Sequence, residues 1–161
     1  MDTIPSLPAT LSPPLTEREA VTDTLYRCIH GLDTKDKALF ESAFTPNASF
    51  TVNGRNAQGL SALHDNCFTP VSKLDTTHFM TNMRINIDTN GTKASMTCTA
   101  LSQHFRKGKG LQPGQPKLLA GSLYYFDFVK ASDGTWKIED WKAKSTWAEG
   151  DWAVVQEVLN D

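Results

Sequence analysis

Apolar residues recur first at helical spacing and then, from Asp75 onward, in alternation, and this change of period orders the chain. Thr16 and Glu19 form a capping-box pattern, in which each side chain satisfies a free backbone N–H at a helix start. Ala20, Leu25, Ile29 and Leu32 follow at near-helical spacing, and Gly31 stands where such a helix would stop. A second helix is predicted over Lys35–Phe44, with Leu39, Phe40 and Phe44 apolar and Asp33 or Thr34 as its cap. Pro46 marks its exit. Ala48–Asn53 reads as a short strand closed by Gly54, and Leu60–Val71 as a third helix.

The second half reads as long strands. Thr77–Asp88 and Thr92–Arg106 flank Asn90-Gly91, a strong hairpin signal. A loop rich in Gly, Pro and Lys, Lys107–Lys117, leads to Leu118–Lys130. Ser132-Asp133-Gly134 then turns into Thr135–Trp147, and Asp151–Leu159 is a short helix. Helices first and antiparallel strands afterwards is an α+β order. Hairpins of this length bury one face and curl, which suits a cone over the helices. The predicted organisation is an extended arm at 1–14 carrying Pro5, Pro8, Pro13 and Pro14, one domain at 15–150, and a tail at 151–161.

Composition narrows the function classes. The chain of 161 residues fits one domain, and its net charge of -2 offers no broad cationic field for nucleic acid or an anionic membrane. No apolar run reaches membrane-spanning length. Cys28, Cys67 and Cys98 are an odd number without paired spacing, which argues against a disulfide framework or a zinc site and for a reducing compartment. The first 14 residues lack the basic and apolar regions of a signal peptide, so a cytoplasmic protein is expected. His30 and His64 have no partner at metal-ligand spacing, and there is no Gly-rich phosphate loop, so no metal and no cofactor are expected.

Four segments carry a resemblance. Gly31-Leu-Asp-Thr-Lys-Asp-Lys-Ala-Leu-Phe40, Thr77-His-Phe79, Leu101-Ser-Gln-His-Phe-Arg106 and Asp133-Gly-Thr-Trp-Lys137 with Trp147 resemble the scytalone dehydratase-like family. That family lies in the SnoaL-like and NTF2-like superfamily, and the resemblance spans roughly residues 16–148. It implies a strongly curved, mostly antiparallel sheet packed on the N-terminal helices. It also implies that Asp33, His78 and His104 form an acid/base constellation. Two family tyrosines correspond here to Leu32 and Val52, an asparagine to Tyr125 and a serine to Leu123, so the electrophilic half of the family site is missing or rebuilt.

Imidazole donates or accepts a proton near neutral pH, and a carboxylate bonded to one ring fixes its tautomer. Each candidate has a plainer reading. Asp33 sits where a helix cap belongs. His104 ends a small apolar face of Ala94, Met96, Cys98, Ala100 and Ser102, where a lone histidine is often a core residue. A two-residue turn at Asn90-Gly91 pairs Ile85 with Met96, Met83 with Cys98, and Thr77 with His104, which puts His78 on the opposite face. The resemblance therefore requires a β-bulge between residues 78 and 83.

Tyr125 is the expected hydrogen-bond donor to a substrate oxygen, and Trp147, Met96, Phe79 and Phe50 are the expected apolar walls. Trp136, Trp141 and Trp152 are core or subunit-contact candidates, and Met80 and Met83 core. The function expected is a cofactor-free lyase or isomerase acting on a small polyketide-like or other secondary metabolite, as a homodimer by family analogy. The alternatives are a non-catalytic ligand-binding or interaction module, and an epoxide hydrolase using Arg55, Arg84 and Asp127.

Overall fold

Thr16 caps the first helix through the predicted box: its Oγ1 accepts from the Glu19 amide, and the Glu19 carboxylate accepts from the Thr16 amide. In this computed structural model, residues 4–159 are described; the first three residues of the predicted arm and the last two of the tail lie outside them. Helix α1 spans Glu17–Thr34. It does not stop at Gly31. A Cβ there would meet the backbone of Phe40 at 2.5 Å, so this glycine lets the next helix lie against α1. The chain leaves α1 at Lys35, in the left-handed conformation (φ 63°), and α2 is Lys37–Ser42, shorter than Lys35–Phe44. Its cap is Asp36, which accepts from the Leu39 amide at 3.0 Å. Asp33 is thereby free of the capping role.

Strands β1 (Phe44–Val52) and β2 (Arg55–Gln58) form a small hairpin; β2 was not foreseen. The predicted helix Leu60–Val71 is α3 (Leu60–Leu63), a π-helical turn at His64–Phe68 and α4 (Thr69–Ser72). The long strands are β3 (Leu74–Ile87), β4 (Lys93–Arg106), β5 (Lys117–Lys130) and β6 (Trp136–Gly150), followed by α5 (Ala153–Leu159). The sheet order is β2-β1-β6-β5-β4-β3, antiparallel except where β1 runs parallel to β6. The architecture is the expected α+β one, a curved sheet that does not close, packed on helices.

One end of the inner face is filled by bulky side chains. Phe126, Phe128, Trp136, Ile138 and Trp141 are all buried, and Trp141 stacks on Phe126 at 5.6 Å between ring centroids. Trp141 is therefore core and unavailable for a subunit contact. Its indole N–H is boxed among aromatic rings and is the one buried side-chain donor without a hydrogen-bond partner among the described residues. Toward the other end, where β4 finishes and β5 begins, the inner face carries small residues: Ala100, Ser102, Ala120 and Ser122.

Buried Arg27 ties α1 to α2 and β6. Its guanidinium donates to Asp23 (3.1 Å), to the Ser42 carbonyl (2.6 Å) and hydroxyl (3.0 Å), to Thr24 Oγ1 (3.0 Å) and to the Trp136 carbonyl (3.1 Å). That satisfies its fixed fork of donors.

Candidate functional site

From the turn, β3 and β4 pair as alternation predicts: Ile87 with Ala94, Ile85 with Met96, Arg84 with Thr97. The next pair is Thr81 with Thr99, so Asn82 and Met83 on β3 stand opposite Cys98 alone. This is a β-bulge, and Asn82 takes the left-handed conformation (φ 54°) that asparagine tolerates better than most residues. Beyond it the parity of β3 is reversed. His78 now pairs with Ser102 and Thr76 with His104, so both histidines face inward. Their rings stand edge to face, 5.3 Å between centroids.

Asp33, at the last turn of α1, completes the group. Its Oδ1 accepts from Thr76 Oγ1 at 2.8 Å and from His78 Nδ1 at 2.7 Å, and its Oδ2 accepts from the His78 amide at 2.8 Å. The side chains of His78 and Asp33 are 6% and 18% exposed, and His104 is 8% exposed, so the group sits in a largely dry interior. Burial works to raise the Asp33 carboxyl. The His78 ring and amide and the Thr76 hydroxyl outweigh it and hold the carboxyl below its ordinary range. A carboxylate only accepts, so His78 carries a hydrogen on Nδ1, and in the neutral ring Nε2 is the nitrogen that keeps the lone pair.

His104 Nδ1 lies 3.4 Å from the Leu118 carbonyl, which again places the hydrogen on Nδ1. Burial first, and the neighbouring His78 second, push its pKa down to about 4, against the opposing pull of the Leu118 carbonyl and Asp33. An unfolded histidine titrates near 6.5, so between 6.5 and about 4 the unfolded chain binds more protons than the folded one. Stability from this residue is thus complete above that window and lost as pH falls through it. Near pH 5 the loss should be on the order of 2 kcal/mol. Melting temperature against pH should show this slope in the wild type and a flatter one in His104→Asn; identical slopes would contradict the assignment.

Other expectations are corrected. Tyr125 pairs with Thr97 on the outer face, where its hydroxyl donates to Asp127 at 2.8 Å beside a groove of about 720 Å³. The tyrosine on the inner face is Tyr124, whose phenol is raised by burial first and then by Cys67, Cys28, Cys98 and Asp33. Trp147 lies outside, over Gly121, half exposed, because a bulge at Thr146 reverses the parity of β6. Phe79 is likewise on the outer face and 54% exposed, paired with Leu101.

Met96 and Phe50 do face inward, but within the packed core. Met96 is eight residues from His104 along β4, roughly 26 Å of strand. Phe50 packs against Trp141 at 4.5 Å. Neither is a wall of the histidine site. Arg55 on β2 and Arg84 on β3 occupy opposite edges of the sheet, and Asp127 bonds Ser95 and Tyr125 on its outer face. The cluster needed for the epoxide-hydrolase reading does not form. Ser102, absent from the sequence-based candidates, is buried directly opposite His78 and two residues before His104. Its matching parity with His104 was visible in the sequence; its nearness to His78 depended on the bulge.

Comparison with known proteins agrees with this architecture. The family model described as a SnoaL-like domain matches residues 13–142. The terrestric acid biosynthesis cluster protein E of Penicillium crustosum is 49% identical over 151 residues, covering 93% of this chain and 96% of that protein. Solved structures share the fold. A putative scytalone dehydratase from Novosphingobium aromaticivorans superposes with a TM-score of 0.72 at 18% identity, covering 84% of this chain and 87% of that one. The hexachlorocyclohexane dehydrochlorinase LinA-type3 from Novosphingobium barchaimii does so with a TM-score of 0.67 at 20% identity, covering 85% and 91%. With four-fifths of its length matched by the family model, the chain belongs to the SnoaL-like domain family.

Proposed function

We propose that the protein is a lyase or isomerase of secondary metabolism that moves a proton at a carbon beside a carbonyl. The observation that carries this reading is the bond of 2.7 Å between Asp33 and His78 Nδ1, set in the interior with His104 beside it. With Nδ1–H held by the carboxylate, His78 Nε2 is the base. On taking the carbon-bound proton the ring becomes an imidazolium, whose charge Asp33 offsets at hydrogen-bond distance. Neutral His104 accepts the O–H of a substrate hydroxyl at its own Nε2.

In a dehydration, the C–H bond breaks toward His78 and the C–O bond breaks as His78 returns the proton to the departing oxygen, releasing water. In an isomerisation, the same proton returns to a different carbon. The dry surroundings strengthen each of these charge interactions. The relative from Penicillium crustosum, described by its place in a biosynthetic cluster, supports a substrate from secondary metabolism. Burial of both imidazoles on the inner face favours catalysis over a passive interaction module.

The test is complementation of a deletion strain, read by mass spectrometry of its metabolites. The wild-type gene should restore the lost product and His78→Asn should not. The compound that accumulates should be one water heavier than the product for a dehydratase, or its isomer for an isomerase. Full restoration by His78→Asn would remove the reading.

A further inference from the structure

Five polar residues are buried in the described chain: Thr24, Arg27, Ser102, His104 and Ser122. Thr24 and Arg27 satisfy each other and the Trp136 carbonyl with bonds of 3.0–3.2 Å. The other three do not. Ser102 reaches only the Ala120 carbonyl at 3.5 Å, Ser122 only Ser145 Oγ at 3.4 Å, and His104 only the Leu118 carbonyl at 3.4 Å. Bonds of that length are at the limit of the interaction, and a buried hydroxyl left so poorly paired costs stability.

These three side chains are also neighbours. They share the inner face of β4 and β5, where Ser102 pairs with Ala120, Ser122 with Ala100 and His104 with Leu118, and Ser102 lies across from His78. These three poorly paired buried side chains therefore lie in one patch of β4 and β5, beside the two alanines, while the partnerless Trp141 indole N–H lies on β6 in the packed core. Their chemistry fits what the histidines lack. Both Nε2 atoms are acceptors in the tautomers described above, whereas a carbonyl that turns into an enolate needs donors aimed at its oxygen.

We infer that the Ser102 and Ser122 hydroxyls form the oxygen-binding subsite of this enzyme, donating to a ketone oxygen on a ring that lies flat over Ala100 and Ala120. The subsite takes the place of the tyrosines replaced by Leu32 and Val52, and it selects oxygenated rings over plain hydrocarbons of the same shape. This rests on the acid/base reading for the identity of the reacting group, while the binding preference is measurable without turnover.

The probes are β-tetralone and tetralin, fused rings of one shape that differ by the ketone oxygen. Titration calorimetry should find β-tetralone bound about tenfold or more tightly than tetralin, the equivalent of one good net hydrogen bond. Ser102→Ala combined with Ser122→Ala should remove that preference, while the melting temperature holds or rises because two poorly paired hydroxyls are gone. Equal binding of the two probes by the wild type, no binding of either, or an unchanged preference in the double variant would overturn the subsite. So would lost preference with a lowered melting temperature, the mark of a structural role. His78→Asn in the same titration separates the two claims, since it should keep the ketone preference. If the serine effect appears but His78→Asn retains full turnover, the acid/base reading fails alone. If His78→Asn is inactive and the serine variant still discriminates, the subsite fails alone.

Discussion

Asp33→Asn is expected to lower turnover by about 10²–10⁴-fold, the scale of a positioned acid/base group, with little change in the fold. The carboxylate receives three hydrogen bonds on two oxygens, from Thr76, from the His78 amide and from His78 Nδ1. An asparagine keeps one acceptor oxygen and presents an NH₂ group where the other stood. Either the strand amide or the ring loses its acceptor. A donor facing His78 Nδ1 favours the other tautomer, with hydrogen on Nε2, and that nitrogen can then no longer take a proton. Nitrogen-15 spectra of His78 should show the tautomer change alongside the kinetic loss. Wild-type turnover in a folded Asp33→Asn protein would mean that Asp33 is there to hold α1 against β3.

The largest stability effect is expected at Arg27. Arg27→Ala removes a buried guanidinium and the donor shared by the Ser42 and Trp136 carbonyls, Thr24 and Asp23, leaving Lys137 on the first carbonyl and Thr24 on the second. Removing one member of such a buried charged network costs about 3–5 kcal/mol. In a chain of 161 residues that corresponds to a melting temperature lower by roughly 10 °C or more. Arg27→Lys should recover little, because an ammonium cannot span the fork. Thermal unfolding decides the point: a loss within experimental scatter would show that the network is replaceable.

The elements were legible because their signals are local. The capping box at Thr16 and the alternation along β4 depend on residues close in sequence and formed as read. The register read from Asn90-Gly91 held beside the turn, although the turn bond runs from the Gly91 amide to the Asp88 carbonyl rather than closing a two-residue loop. Phe79 and Trp147 were misread because register changes leave weak marks. On β3, Met83, Ile85 and Ile87 share one parity and Met80 has the other, yet Phe79 continues the first parity and masks the break. On β6, Trp136 and Ile138 against Trp141 betray one bulge, whereas nothing near Thr146 announces the second, which turns Trp147 outward.

Tyr124 could have been chosen over Tyr125. Phe126 and Phe128 share its parity, and Asp127 shares that of Tyr125. Asp33 was ambiguous for a different reason. A carboxylate before a helix start is an equally good cap, and only the extension of α1 past Gly31, with Asp36 as the actual cap, released it.

Whether one imidazole, steered by Asp33, removes protons from carbon can be measured without knowing the natural substrate. The protein is incubated with β-tetralone in deuterium oxide, and loss of the α-carbon proton signal is followed by NMR. Exchange should run faster than in buffer alone, saturate with the ketone, and drop to the buffer rate in His78→Asn whose circular dichroism is unchanged. Exchange as fast with that variant as with the wild type would contradict the account.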